Sequence, residues 1–341
     1  MPVGRPDESA AETARERERR RRWAAEISAR ASTFWTAERR RKLFGDLRLV
    51  LPPWEAAPLL RALGLLRGDG SMSPASVRKY MQVGQMVLLL EPFLRRVAAG
   101  RSAVRLLDAG CGRSYLTLVL AWCFRHRWGR PAELLGVDRD PVVVRRFRKR
   151  AALVDLDEAL RCEVAALEDL DVPAAWARAF GASPPADPPL DVLVALHACD
   201  TATDDALALG VRLGAELIAV APCCQAELAQ GWAALAEAGA GGPFAPIWRS
   251  NHLRREAGAT LTDALRTLLL RGCGYEVTAM EFVGSSHTPK NTLLRAVQIG
   301  LPDPEAFAEY AALRRAVGGV EIRLARRLPE PHRTLLRATD R

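Results

Sequence analysis

Five short apolar runs, each followed by a longer amphipathic stretch, fill residues 104–221 and constrain the fold more than any other feature. In order they read VRLLDAG, AELLGVD, RCEVAAL, LDVLVAL and AELIAVA. Such runs are typical of buried parallel strands with helices on both faces of one sheet. Two later β-like runs, GYEVTAMEFV and TLLRAVQIG, are joined by only GSSHTPKN, too short for a crossover helix. The pattern predicts an α/β doubly wound domain with a mostly parallel seven-stranded sheet and an antiparallel final hairpin.

The composition changes along the chain and predicts three regions. Residues 8–67 are rich in Arg, Glu, Ala and Leu at helical spacing, which predicts a solvated N-terminal helical appendage. The segment GDGSMSP at 68–74 is a break whose Ser and Pro are placed to start a new helix. We therefore predict a helical N-terminal region at 1–70, the sheet domain at 71–300 and C-terminal helices at 301–341.

Bulk properties limit the classes of protein to which the chain can belong. With 341 residues and 49% hydrophobic content it can build a sizeable core. Its first 22 residues lack the apolar centre of a signal peptide. The sequence contains no run of 18 apolar residues, so we predict no membrane span. Seven cysteines without framework spacing suit a reducing compartment. We expect a cytoplasmic protein without a membrane span.

The net charge of +9 has two explanations that the sequence leaves open. A basic protein suits a nucleic-acid partner, because neutralised phosphates release counterions. The basic residues are, however, almost all arginine, and lysine occurs only at positions 42, 79, 149 and 290, which indicates a coding bias. RNA is therefore one candidate partner among others.

The stretch LLDAGCGRSY at 106–115 combines a strand end, a glycine-rich turn and a helix start. Its glycines let the backbone approach a ligand at the carboxyl edge of the sheet. The third glycine of a dinucleotide-binding turn is missing, and Asp108 directly before the turn would repel a pyrophosphate but suit a cation. The next strand ends in GVDRD, which places Asp138 where a carboxylate can accept both hydroxyls of a ribose.

These two motifs resemble the first two motifs of class I S-adenosylmethionine-dependent methyltransferases. The resemblance implies a Rossmann-like fold with S-adenosyl-L-methionine as cofactor. It places Asp108, Gly110 and Gly112 around the methionine moiety and Asp138 on the ribose. In LEDLD, Glu168 or Asp169 is expected at the adenine amino group. The 30 positions between Asp108 and Asp138 exceed the usual spacing of roughly 20, which predicts a longer first helix and loop.

Four more segments carry a narrower resemblance over residues 75–298. They are VRKYMQVGQMVLLLEPF, LHACDTATDDAL, APCCQ and SSHTPKNTLLRAV. Together they look like the methyltransferase domain of the methyltransferase-like protein 25 family. They are more distantly similar to tRNA 2'-O-methyltransferases with His/Cys-Gly and Cys-Cys segments. The resemblance does not define the methyl acceptor.

A cluster of His and Cys residues after the fourth and fifth strands allows three interpretations. A metal site would use the four side chains His197, Cys199, Cys223 and Cys224. Adjacent cysteines rarely both reach one tetrahedral zinc ion, so we predict no metal. A nucleophile would be Cys223, provided that the helix starting near Gln225 lowers its pKa. Ordinary packing of small apolar cysteines is the third interpretation.

The acceptor side of the cleft is the interpretation that we favour for this cluster. His197 and Asp200 follow the fourth strand, where class I enzymes place residues that contact the acceptor, and we predict a catalytic role for both. In HTPKN, a Lys-Asn pair in a chain with four lysines and two asparagines indicates a required geometry. The predicted substrate-binding residues are His287, Lys290 and Asn291 in that segment, and Lys79 and Gln82 on the helix before the sheet.

The sequence therefore predicts a class I methyltransferase that acts on a nucleophilic nitrogen or oxygen. RNA is the favoured acceptor class, with protein and small molecules as alternatives. The rival hypothesis is a non-catalytic binding protein with a cofactor fold, or an RNA-associated adaptor. The presence of both Asp108 and Asp138 favours an enzyme, because a protein without catalytic activity would need neither carboxylate. The oligomeric state is not predicted.

Overall fold

A computed structural model describes residues 6–113, 115–181, 189–196, 198, 200–222, 225–282 and 292–339. One seven-stranded sheet is at its centre. The strands are β1 (Val104–Ala109), β2 (Ala132–Asp138), β3 (Leu160–Val164), β4 (Val192–Leu196), β5 (Leu217–Ala221), β6 (Tyr275–Glu281) and β7 (Thr292–Gln298). Their order is β3-β2-β1-β4-β5-β7-β6. Strands β1 to β5 are parallel, whereas β7 is antiparallel to both of its neighbours. The predicted fold class and final hairpin are confirmed.

The helices divide into a group before β1, a group between the strands and a group after β7. The first group is α1 (Pro6–Phe34), α2 (Ala37–Phe44), α3 (Ala57–Ala62) and α4 (Pro74–Ala98). The second is α5 (Tyr115–Trp122), α6 (Pro141–Leu153), α7 (Val172–Phe180), α8 (Thr201–Arg212), α9 (Glu227–Glu237), α10 (Ala245–Arg249) and α11 (Asn251–Gly272). The third is α12 (Pro304–Ala316), α13 (Arg323–Arg327) and α14 (Glu330–Thr339). Among these described helices, none is both long and apolar enough to cross a membrane.

The two faces of the sheet are covered by different parts of the chain. Successive residues of a strand point to opposite faces, so that Leu106 and Leu107 belong to two separate apolar clusters. Helices α1 to α6 pack on the face of Leu106, and α7 to α14 pack on the face of Leu107. Both faces are therefore dry, which explains why the five parallel strands read as apolar runs rather than as alternating patterns.

The N-terminal helices are part of the core, which corrects their interpretation as a solvated appendage. Ile27, Ala31 and Trp35 are each at most 5% exposed and lie in the same apolar cluster as α4 and α5. Ile27 and Ala31 lie four residues apart on one face of α1, and Trp35 directly follows the helix. The hydroxyl of Tyr80 in α4 also donates to the Leu51 carbonyl, at 2.9 Å. From residue 14 onward, the opposite, arginine-rich face of α1 is solvated.

A π-helical continuation of α5 accounts for the long spacing between the two predicted carboxylates. Residues Cys123–Trp128 follow α5 directly, and Gly129 ends them in the left-handed conformation. Phe124 and Trp128 of this segment are buried against the N-terminal side of the core. The predicted longer first helix is thus present, and its extra length packs against the N-terminal region.

The C-terminal helices pack closely on α9. A Cβ atom built on Gly231 would lie 2.6 Å from Cγ1 of Val320, so only glycine allows this approach. Next to it, the buried indole of Trp232 donates to the Val317 carbonyl at 2.6 Å. The predicted boundaries at residues 70 and 300 remain predictions, because core packing continues across both.

Candidate cofactor and acceptor site

The glycine turn lies at the carboxyl edge of the sheet, between β1 and α5. Gly110 and Gly112 have φ angles of 72° and 50°, which side chains with a Cβ rarely adopt. The amides of Gly110 and Cys111 both donate to the Val137 carbonyl, at 2.9 and 3.0 Å. These two bonds hold the turn against β2, so its backbone is ordered before any ligand arrives.

Asp108 supplies a buried carboxylate directly beneath this turn. It is 1% exposed, and its Oδ2 accepts a hydrogen bond from the Thr117 hydroxyl. Its Oδ1 is buried and has no hydrogen-bond partner among the described residues. Burial raises the pKa of Asp108 to about 7, with a further increase from Asp138 and an opposing effect from Thr117. A buried acceptor oxygen without a partner fits a cationic ligand group, because such a group satisfies it and restores its charge.

Asp138 is the last residue of β2, and its half-buried carboxylate organises the turn. Its Oδ2 accepts from the Gly112 amide and its Oδ1 from the Asp140 amide, both at 2.9 Å. A carboxylate oxygen can accept more than one hydrogen bond, so both atoms keep capacity for ribose hydroxyls. The predicted ribose contact is therefore compatible with this second role in the turn.

A cavity of about 520 Å³ opens beside the turn. Its volume lies within the range of ligand pockets for small molecules and cofactors. The residues that line it are Gly64, Leu65, Ala75, Ser76, Lys79, Asp108, Gly110, Cys111, Gly112, Arg113, Tyr115, Leu116 and Leu196. The structure thus brings Asp108 and both predicted glycines together with Lys79.

Lys79 reaches this cavity from α4, and its contact with a substrate remains a prediction. Its Nζ donates to Oε1 of Gln82 at 2.9 Å and lies 5.5 Å from the ring centroid of Tyr115. Burial, followed by the charge of Arg113, lowers the pKa of Lys79. Gln82 does not line the cavity itself, and its amide orients the lysine.

Glu168 and Asp169 are not among the residues that line the 520 Å³ cavity. They belong to a short 3₁₀ turn, Leu167–Asp169, and both side chains are exposed. The Glu168 carbonyl accepts from Nη2 of Arg327 at 3.0 Å. Their contact with an adenine amino group remains a prediction.

Asp200 has an unusual backbone between β4 and α8. Its φ of 50° lies in the region that favours glycine, at a cost of about 1–3 kcal/mol for another residue. Its Oδ1 accepts from the Ala226 amide at 2.9 Å and so joins the segments after β4 and β5. Such strain is concentrated at functional sites. Seven other predicted or alternative site residues lie outside the described residues, namely His197, Cys199, Cys223, Cys224, His287, Lys290 and Asn291.

A buried ion network beneath Asp200 was not predicted. Arg266 of α11 is 1% exposed and binds both carboxylate oxygens of Asp204, at 2.6 and 3.1 Å. Its other contacts are Oδ1 of Asp263 at 3.0 Å and the Asp200 carbonyl at 3.2 Å. Oδ2 of Asp263 also accepts a hydrogen bond from Nε2 of the Gln225 side chain at 2.9 Å. The network fixes the start of α8 and the end of the β5 loop relative to α11.

The described residues include most of the acidic side chains at the carboxyl edge of the sheet. Among the described residues, no group of three His, Cys, Asp or Glu side chains is arranged to hold a metal ion. Ser76, Tyr115, Thr117 and Leu196 contribute to the site without having been predicted. Ser76 had a sequence signal because it lies three residues before Lys79 on the same helix, and Tyr115 because it ends the glycine-turn motif at 106–115.

Comparison with known proteins gives one family match. Residues 78–231 match a family model described as a methyltransferase domain. A search among curated proteins finds no match. Similar solved structures include a Podospora anserina methyltransferase bound to S-adenosylhomocysteine, at 12% identity and a TM-score of 0.40, covering 71% of this chain and 88% of that one.

Two further solved structures are similar at the same level. A human methyltransferase 10 domain containing protein is 10% identical with a TM-score of 0.39, covering 71% of this chain and 93% of that one. Geranyl diphosphate methyltransferase in complex with S-adenosylmethionine is 13% identical with a TM-score of 0.36, covering 65% and 88%. Structural likeness this low carries no argument about activity. The strand order, the family match and the glycine turn, whose neighbouring carboxylate oxygen has no partner among the described residues, all agree. The enzyme carries a methyltransferase domain of the class I fold, and its cofactor is S-adenosylmethionine.

Proposed function

We propose that this enzyme methylates RNA at a nucleophilic nitrogen or oxygen. The observation that carries the proposal is a basic ridge at the rim of the cofactor cavity. We define the basic ridge as Arg113, Arg139, Arg145, Arg146, Lys149 and Arg150. Within the described part of the chain, no Asp or Glu forms an ion pair with any of the six.

Helix α6 forms most of the ridge. It has the sequence PVVVRRFRKRAAL, with five basic residues and no acidic one. Arg145, Arg146 and Lys149 are exposed, while Val144 and Phe147 anchor the helix to the core. A helix that is basic along its solvent face, without alternating acids, presents a continuous positive potential.

The ridge reaches the cavity through two neighbouring arginines. Nη1 of Arg150 donates to the carbonyl of Arg113 at 2.7 Å, and Arg113 itself lines the cavity. Burial lowers the pKa of Arg150, and the positive charges of Arg113 and Arg146 lower it further. Like charges thus lie close together at the rim, an arrangement that an anionic partner would stabilise.

Helix α1 extends the positive surface away from the cavity. Nη1 of Arg20 donates to the Ala152 carbonyl at 2.9 Å, which places α1 against the end of α6. Arg21 and Arg22 beside it are exposed. A polymer lying on α6 would therefore meet further positive charges on α1, whereas a small acceptor needs only the rim. This length favours RNA over a small molecule.

The residues at the cavity have distinct proposed roles. S-adenosylmethionine supplies an activated methyl group on its sulfonium, and transfer needs in-line positioning of the acceptor. Asp108 binds the ammonium group of the cofactor, and Asp138 accepts hydrogen bonds from the ribose hydroxyls of the cofactor. Asp200 and His197 contact the acceptor atom and take its proton where it carries one.

The remaining predicted residues have proposed roles at the two ends of the site. Glu168 or Asp169 accepts from the adenine amino group. His287, Lys290 and Asn291 contact the acceptor from the final hairpin. These roles rest on sequence position and on the resemblance, not on described contacts.

RNA binding to the ridge is tested by fluorescence anisotropy with a labelled structured RNA at several salt concentrations. We expect Arg146→Gln/Lys149→Gln to weaken binding about tenfold and to reduce the salt slope by about 2. The matched control is Arg249→Gln/Arg255→Gln, which removes two exposed arginines on the opposite face of the sheet. It should change affinity less than about twofold. Equal losses of RNA affinity in both double variants would mean that RNA is attracted by the overall charge and not by the basic ridge. That result would contradict the proposal.

The acceptor class is tested by methyl transfer from tritiated S-adenosylmethionine into a cell extract. The extract is then separated into RNA, protein and small molecules. Label in the RNA fraction that falls in parallel with the ridge variant supports the proposal. Label confined to protein or small molecules overturns it, while the assignment as a methyltransferase would stand.

A further inference from the structure

The amino-terminal part of α4 forms one wall of the cofactor cavity. Ser73 caps this helix by accepting from the Ser76 amide at 3.1 Å, and Ser76 and Lys79 face the cavity one turn apart. Helix α4 packs against α5 and β5. Asp138 ends β2, and β2 and β5 lie on opposite sides of β1.

This placement decides which part of the cofactor meets Lys79. Asp138 suits the ribose at the β2 end, so the amino-acid end of the cofactor points towards β4 and α4. Leu196, the last residue of β4, lines the cavity there together with Lys79. The amino-acid end carries an ammonium and a carboxylate. Asp108 can bind only the ammonium, because a second carboxylate beside it would be repelled.

We propose that Nζ of Lys79 binds the carboxylate of the methionine moiety of S-adenosylmethionine, and that Gln82 is its positioning residue. The site would then match both charges of the amino acid, with Asp108 for the ammonium and Lys79 for the carboxylate. The Gln82 amide and the Tyr115 ring orient the ammonium group of Lys79 within the cavity. This replaces the earlier expectation that Lys79 contacts the methyl acceptor.

The charge balance of the cavity supports this role. Lys79 is half-buried, and Arg113 lines the same cavity. Burial and Arg113 both lower the pKa of Lys79, and a bound carboxylate would oppose this shift. The inference rests on S-adenosylmethionine being the cofactor. It does not depend on RNA being the acceptor.

The test compares S-adenosylmethionine with its decarboxylated form by isothermal titration calorimetry. We expect the wild-type protein to bind the intact cofactor roughly 10- to 100-fold more tightly, the range of a charge-assisted hydrogen bond. Lys79→Met should lower the affinity for the intact cofactor by a similar factor. It should leave the affinity for the decarboxylated form unchanged within about threefold. Lys79→Arg should restore part of the preference, and Gln82→Leu should reduce it by a smaller factor.

Three outcomes separate the inference from its alternatives. Lys42→Met removes an exposed lysine on α2 and should leave both affinities unchanged. Equal weakening of both ligands by Lys79→Met would make the lysine a structural support and overturn the inference. So would a wild-type protein without preference for the carboxylate. If the wild-type protein bound neither ligand, the cofactor assignment itself would fail, a result distinct from the other two.

Discussion

The two halves of the carboxyl edge use their carboxylates in opposite ways. On the cofactor side, Asp108 is buried with one oxygen that has no partner among the described residues. On the acceptor side, Asp204 and Asp263 are both engaged by Arg266, and Asp200 is engaged by the Ala226 amide. The first half keeps a charge for a ligand, whereas in the second the buried Asp204 and Asp263 hold loops in place. Buried acids near a site are therefore not equivalent evidence for ligand binding.

The largest expected effect comes from breaking the acceptor-side network. Arg266→Met leaves Asp204 and Asp263 without their cation, and we expect a loss of about 3–5 kcal/mol in the free energy of unfolding, measured by chemical denaturation. The control is Arg271→Met, whose exposed pair with Glu309 should contribute at most about 1 kcal/mol. Similar losses from both variants would show that the network is not the stabilising element.

The next effect sharpens the contrast between the two halves. Asp108→Ala should weaken S-adenosylmethionine binding by at least about 100-fold, because the cofactor ammonium loses its charged partner. Asp200→Ala should leave cofactor affinity within about threefold. Calorimetry on both variants measures this difference. A comparable loss of affinity in Asp200→Ala would mean that the acceptor half also binds the cofactor.

The smallest effect is the pH dependence of cofactor binding. The pKa of Asp108 is raised to about 7 in the protein alone, and a bound cation would lower it again. Binding therefore favours the ionised form and releases a proton at lower pH. Affinity should fall by up to about tenfold for each pH unit below 7 and reach a plateau above it. Asp108→Asn should remove this dependence, and a wild-type affinity that is flat from pH 5 to 7 would contradict the raised pKa.

The strands and the turn were predictable because their signals are local. The segment AELLGVD became β2 with the same bounds, Ala132–Asp138, and Ser73 and Pro74 start α4 as expected. The rarity of lysine in this chain drew attention to Lys79, and its predicted contact with the substrate stays a prediction. These features depend on neighbours in sequence, through burial, capping and helical periodicity.

The parts that could not be predicted depend on contacts between distant positions. Arg266 and Asp204 are separated by 62 residues, and no pattern in the sequence marks them as a pair. The solvated interpretation of the N-terminal helices was wrong for the same reason. Composition shows how many arginines α1 carries, but not that Ile27, Ala31 and Trp35 belong to the same apolar cluster as residues of α4 and α5.

The close contact between Gly231 and Val320 joins the segment that matches the family model to the chain that follows it. The family match covers residues 78–231 and stops at that glycine, within α9. Both β6 and β7 follow later, so the matched block alone would leave β5 as a bare sheet edge. It would also lose the N-terminal helices that bury one face of the sheet. The segment that matches the family model contains Asp108 and Asp138, whereas the folded core includes chain on both sides of that segment.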